Sequence, residues 1–213
     1  MRLPVLLFST LFLAGCGGNK PADTTPQRLP SVPALSLNTT VLSGEKIAVL
    51  PLTLVVRDVA MEADSLLRNE AAAAAWADSI IGAALTERGR EVDWVLPAEL
   101  RRVSRRAPSL HIDPDRMGQS IMGNPKLESM PEPLRAHARS LMALVGGRYV
   151  FVPAAVAFVR MPDGTVRAEL SAVLGDTRNG KVDWRTLVMA NRATPAEALS
   201  AALEILVPPL TIR

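Results

Sequence analysis

Cysteine is all but missing from this chain: Cys16 is the one thiol in 213 residues. That excludes an internal disulfide framework and any metal site built on paired cysteines. Histidine occurs twice, as His111 and His137, so a histidine-rich metal centre is excluded as well. Aromatic residues make up 4%. Beyond Phe12 only Trp76, Trp94, Trp184, Tyr149, Phe151 and Phe158 remain, thin material for a sugar-stacking groove or a base-stacking platform. Neither Gly-x-x-x-x-Gly-Lys-Ser/Thr nor Gly-x-Gly-x-x-Gly occurs, so nucleotide binding has no support in the motifs. After the first residues, no apolar stretch approaches the roughly 20 residues of a membrane-crossing helix without a charge or a proline.

What is present begins at the start of the chain. Arg2 supplies a short positive region, and residues 3–12 form an apolar run too short to cross a bilayer core of about 30 Å. Leu13-Ala14-Gly15-Cys16 closes it. This pattern resembles a bacterial lipoprotein signal. The resemblance implies cleavage after residue 15 and acylation of Cys16, with palmitate among the chains attached. Lipid on Cys16 leaves no thiolate nucleophile, so the fold has to hold by packing alone. Two or three acyl chains anchor a protein stably where one does not. Gly17, rather than an aspartate, follows the cysteine, and the resemblance then places the protein at the cell outer membrane, facing the periplasm. In that compartment nucleic acid is the wrong partner.

The domain boundaries expected are 1–15 as signal peptide, 16–44 as lipidated cysteine and flexible tether, and 45–213 as one periplasmic domain. The tether carries Gly17, Gly18, Pro21, Pro26, Pro30 and Pro33 among small polar residues, with no sustained period. About 26 residues of coil average roughly 25–30 Å end to end and stretch to about 90 Å. Leu35, Leu37 and Val41 alternate with polar residues and predict an edge strand where the tether meets the domain.

Within the domain, Lys46-Ile47-Ala48-Val49-Leu50 reads as a buried strand that ends or bulges at Pro51, which has no N–H to donate. Residues 64–88 predict one long helix. Its alanine-rich run 71–75 favours helix, and Trp76, Ile80, Ile81, Ala84 and Leu85 recur at helical spacing. Gly89 stands where a helix ends. Residues 91–96 alternate as a strand, Pro97 opens a short helix, and 107–131 is irregular, with helical turns within 115–122. Pro133 begins a helix over 133–145. Residues 149–160, 165–174 and 181–189 are three strands joined by turns at Pro162-Asp163-Gly164 and Asn179-Gly180, a three-stranded meander. Thr194 and Glu197 form a capping box for a last helix at Pro195. The fold class is an α/β (α+β) sandwich: one mixed sheet with a C-terminal antiparallel meander and helices on at least one face.

Few residues suggest chemistry. His137 reads as a solvated helix position. His111 lies in Ser109-Leu110-His111-Ile112-Asp113-Pro114-Asp115, where serine, imidazole and two carboxylates are close in sequence. No Gly-x-Ser-x-Gly elbow accompanies them, and the spacing matches no metal motif. The segment reads as a loop. Glu70, Asp78, Glu87 and Glu99 fall on predicted helices, where charge usually marks the wet face. Twenty of the 24 basic residues are arginine, and the formal charge is +3. Arg101, Arg102, Arg105 and Arg106 stand out because positions i, i+1, i+4 and i+5 share one side of a helix. They are the candidate contacts for an anionic partner, such as lipid headgroups, lipopolysaccharide or an acidic protein.

Four pieces of the folded part carry a second resemblance: Lys46-Ile47-Ala48-Val49-Leu50-Pro51; the helix ending Glu87-Arg88-Gly89; Gly147-Arg148-Tyr149-Val150-Phe151-Val152; and the hairpin Asp176-Thr177-Arg178-Asn179-Gly180-Lys181-Val182-Asp183-Trp184. Together they resemble the periplasmic α/β domain of curli-secretion lipoproteins, of lipoprotein activators of penicillin-binding proteins, and of related outer-membrane lipoproteins. These motifs mark turns and packing, and the group has no shared catalytic residues to carry over. The pore-forming hairpins of the curli-secretion type are not recognisable here. The expected function is that of a lipid-anchored, non-catalytic envelope protein, an assembly factor or a regulator of a cell-wall or export machine. It would use no metal and no other cofactor, and would bind an envelope protein, with self-association left open. The alternative is an envelope hydrolase acting through carboxylates or the His111 segment.

Overall fold

A computed structural model describes residues 33–209. The cleavage motif, Cys16 and the first half of the expected tether lie outside those residues. The sheet has six strands: β1 (Lys46–Val49), β2 (Val55–Arg57), β3 (Asp93–Val95), β4 (Tyr149–Arg160), β5 (Val166–Asp176) and β6 (Val182–Arg192). Four helices accompany them: α1 (Glu70–Arg88), α2 (Pro97–Arg106), α3 (Glu132–Val145) and α4 (Pro195–Leu206). The sheet order is β3-β1-β4-β5-β6, with β2 beside β4. β1 runs parallel to both β3 and β4, whereas β4, β5 and β6 form the antiparallel meander.

The unbroken apolar run of β1 follows from being covered twice. Ile47 and Val49 face a core shared with α1 and α4, while Ala48 and Leu50 face a second core containing Leu100 of α2 and Leu134, Ala138 and Leu141 of α3. A parallel strand buried on both faces has no polar side to alternate. The helices therefore occupy both faces of the sheet.

Pro51 ends β1, and the chain resumes as β2 against the same neighbour. Val49 aligns with Phe151 and Val55 with Val156, so the stretch holds one more residue than the β4 stretch opposite. That extra residue makes a bulge. Pro153 falls opposite the interruption, at a register shift between β4 and β5, where a missing donor is tolerated.

Local signals act as expected at several junctions. The Thr194 side chain accepts from the Glu197 N–H and Glu197 reaches back to the Thr194 N–H, closing the capping box of α4. Gly164 and Gly180 take positive φ in the two meander turns. One helix boundary needs correcting, whereas Gly89 ends α1 where expected. α1 starts at Glu70, six residues later than predicted from position 64, because Asn69 caps it by accepting from the Ala72 N–H at 3.0 Å. Gly89 ends the helix with φ −110°, outside the left-handed region. Its missing Cβ instead makes room for Thr39 and for the Trp94 indole, which donates to the Gly89 carbonyl.

The segment before β1 docks as turns and forms no edge strand. The Leu37 N–H donates to the Leu206 carbonyl and the Leu35 N–H to Thr186 Oγ1. Leu37 and Leu42 join the α1–α4 core, while Leu35 and Val41 stay exposed.

Candidate functional site

The interruption at Pro51 frees backbone groups at the C-terminal end of β1, and the most connected ionic cluster of the described residues gathers there. Leu52 N–H donates to Asp78 Oδ1 at 2.7 Å. Asp78 lies on the buried stripe of α1 with Ala77 and Ile81, not on the wet face expected for a helical carboxylate. Arg101 reaches the same carboxylate from α2, its Nη2 standing 3.2 Å from Asp78 Oδ2. It also grips Asp115 with two donors, Nε at 2.9 Å from Oδ2 and Nη2 at 2.7 Å from Oδ1. Asp115 is held from below, its N–H donating to the Asp113 carboxylate in the 3-10 turn Pro114–Arg116. One guanidinium thus joins helices from opposite layers to a loop.

Burial pushes the Asp78 carboxyl up to about 6, against the Leu52 N–H and the Arg101 pair, both of which favour its charged form. Asp115, as the closer and bidentate partner, raises Arg101 above the usual guanidinium range. An acid titrating near 6 can exchange a proton under mildly acidic conditions. Both Asp78 oxygens, however, already accept hydrogen bonds.

Two recesses flank the cluster. One of about 480 Å³ lies between residues 52–55 and the first half of α1, with Glu70, Ala71, Ala74, Ala75, Asp78, Arg101 and Asp115 on its walls. The other, about 360 Å³, is lined by Arg101, Ser104, Arg105, Ile112, Asp113, Pro114 and Asp115.

The four arginines of the expected cluster divide. Arg101 turns inward as described. Arg102 pairs with Glu99 one turn earlier. Arg105 and Arg106 are exposed at the end of α2 and form no ion pair among the described residues. Arg88 is engaged elsewhere, with Glu204 of α4, and Arg90 donates to the Glu87 carbonyl.

His111 is exposed in a left-handed turn, with Nδ1 2.9 Å from the Ser109 carbonyl. No hydrogen bond or ion pair joins it to Asp113 or Asp115 among the described residues. His137 is half-buried, its Nδ1 without a partner, and is less solvated than its helix position suggests. Among the described residues, no group of three or more His, Cys, Asp or Glu side chains is placed to hold a metal ion, and no helix is long and apolar enough to cross a membrane.

A second ion pair, between the half-exposed Arg148 and the buried Asp176, secures the meander. Arg148 Nε donates to Asp176 Oδ2 at 2.8 Å, and the Arg178 N–H to Oδ1 at the same distance. Burial alone would raise the Asp176 pKa. The Arg148 guanidinium and the Arg178 N–H more than offset it and hold the carboxyl below the ordinary range.

In the sequence Asp78 and Asp115 lie apart, one on a predicted helix and one in a predicted loop. The signal for Asp78 was present: an aspartate between Ala74, Ala77, Ile81 and Leu85 occupies the apolar stripe, where a carboxylate needs a partner.

No family model matches the sequence, and no curated protein matches it. Among solved structures, the chain is similar to the C-terminal domain of LpoB from Escherichia coli, at 15% identity over 71% of this chain and 85% of that one, with a TM-score of 0.39. It is also similar to the lipoprotein GNA1162 from Neisseria meningitidis, at 17% identity over 70% and 82%, TM-score 0.33. A third is the PelC dodecamer from Paraburkholderia phytofirmans, at 13% identity over 86% and 97%, TM-score 0.31. At this level of likeness, function is read from the chain's own residues.

Proposed function

We propose that this chain is a lipid-anchored, non-catalytic envelope protein that works by binding another envelope component, as an assembly factor or as a regulator of a cell-wall or export machine. The observation that carries the reading is the division within α2. Arg101 is spent on the interior, whereas Arg105 and Arg106 remain exposed without an ion-pair partner among the described residues. Arginine is favoured at interfaces because its planar guanidinium pairs bidentately with carboxylates. An acidic surface of an envelope protein is the partner this face fits.

The anchor is Cys16 in Leu13-Ala14-Gly15-Cys16, and the domain then faces the periplasm from the outer membrane. Labelling with a palmitate analogue tests this part: the wild type takes up label and sediments with outer membrane, and Cys16→Ser does neither. Labelling that survives Cys16→Ser would overturn the anchor. The binding part is tested by crosslinking in cells, where Arg105→Glu with Arg106→Glu lowers the yield of a heterologous adduct.

The hydrolase alternative draws on the Asp78 carboxyl, which burial pushes up to about 6 beside a recess of about 480 Å³. Against it, each Asp78 oxygen is already an acceptor, and Arg101 stands between Asp78 and Asp115.

A further inference from the structure

The outer side of β2 is a sheet edge. Val156 N–H donates to the Leu54 carbonyl and Asp58 N–H to the Phe158 carbonyl. Leu54, Val56 and Asp58 thus direct their backbone groups to β4, and Thr53, Val55 and Arg57 direct theirs away from it. Among the described residues no strand pairs with β2 on that side. Sheet edges are normally blunted by proline, by inward charge or by a covering element. Between Thr53 and Arg57 there is no proline.

A groove follows this edge. The recess of about 480 Å³ and a further one of about 300 Å³ share Leu54, Val55 and Glu70, so they run on along the strand. The small side chains of Ala71, Ala74 and Ala75 on α1 keep the far wall back. The walls carry Glu62, Glu70, Asp78 and Asp115 against Arg57 and Arg101, an excess of two carboxylates. Arg101 is already paired with both Asp78 and Asp115, and Glu70 meets Arg57 only at 3.7 Å while remaining largely exposed. Arg57 Nε, at this edge, is a buried atom with no hydrogen-bond partner.

We propose that the outer edge of β2 and the groove beside α1 receive an extended, basic segment of a partner protein by strand addition. The inference rests on the reading that the chain works by binding a partner, and it names a surface separate from the exposed arginines of α2. The edge is short, so backbone bonds at Val55 and Arg57 set the direction of the segment, and pockets for alternate side chains give the selectivity. Lysine or arginine at alternate positions meets the surplus of carboxylate, and apolar residues between them face Leu54 and the alanine wall.

Random peptides of about twelve residues, displayed on phage and selected on the full chain, supply the probe. The selected peptides are then synthesised and titrated against the wild type and three variants. Arg57→Pro removes a donor on the outer edge and keeps the bonds to β4, and Ala75→Trp fills the groove from an exposed helix position. Arg139→Glu, a charge reversal at an exposed position of α3, serves as the control. Peptides that alternate apolar with basic residues are expected. Their affinity falls about tenfold or more in Arg57→Pro and in Ala75→Trp, is unchanged in Arg139→Glu, and weakens with salt. Amide exchange slows at Val55 and Arg57. Acidic consensus peptides, or affinity indifferent to both groove variants, would overturn the proposal. If no peptide is selected but a heterologous adduct still forms in cells, the groove is wrong and the partner-binding reading stands. If neither is found, both fall.

Discussion

Asp78 takes the place of a missing β-ladder partner for Leu52. The bulge at Pro51 turns the Leu52 N–H away from β4, and Asp78 Oδ1 accepts it at 2.7 Å. An amide left unsatisfied there would cost about 1–3 kcal/mol, so a carboxylate on the apolar face of α1 is less anomalous than it looks. The charge needed to serve that amide and Arg101 is also what makes the residue sensitive to pH.

The Asp78 carboxyl rises from 3.8 to about 6 on folding. The folded state therefore holds its proton more tightly, and the stability Asp78 contributes is greatest below about pH 4 and declines as pH rises to about 6, by about 3 kcal/mol. Asp78→Asn keeps an oxygen for Leu52 and removes this titration. Denaturant midpoints of the variant should lose the decline between about pH 4 and pH 6 that the wild type shows. An unchanged profile would mean that Asp78 does not titrate there.

Asp176 works in the opposite sense and in a lower window. Its pKa is depressed by Arg148 and the Arg178 N–H despite burial, so its contribution is present above the unfolded value and is lost as pH falls through the folded one. Asp176→Ala unpins the turn joining β5 to β6 from the start of β4. A loss of about 2–4 kcal/mol at neutral pH is expected, measured by urea unfolding.

Arg101 and Arg105 share a helix and should behave differently. Arg101→Ala strands the buried Asp78 and should destabilise by about 1–3 kcal/mol. Arg105→Glu removes no ion pair and should leave stability within about 0.5 kcal/mol. Equal effects in thermal melts would erase the distinction between an interior and a surface role.

Gly147→Ala should be far more damaging than Gly164→Ala, although both positions have positive φ. A Cβ at Gly147 meets the Lys46 carbonyl and lies 2.7 Å from Met142 Cε, whereas at Gly164 nothing stands within 4 Å. The first should cost more than about 3 kcal/mol and the second about 1 kcal/mol, read from denaturant midpoints.

The meander, the capped α4, the break at Pro51 and the order of elements were legible because each depends on residues adjacent in sequence: Asn179-Gly180, Thr194 with Glu197, a proline inside a β-branched run. The Asp78–Arg101–Asp115 cluster depends on three segments that meet only when α1 and α2 close on opposite faces of the sheet. Charge counting along α2 groups Arg101 with Arg102, Arg105 and Arg106. Only tertiary packing turns Arg101 inward. Likewise Leu37 and Leu42 look like tether until Leu206 and Thr186 provide the partners that hold this segment down.

Crosslinking in cells decides whether the domain works by binding another envelope protein. The full chain is crosslinked beside its Arg105→Glu, Arg106→Glu variant, and the adducts are identified by mass. One heterologous adduct is expected, its yield dropping in the variant while expression and folding are unchanged. A ladder of homo-oligomers alone, or no adduct together with a cell-wall hydrolysis that Asp78→Asn abolishes, would contradict it.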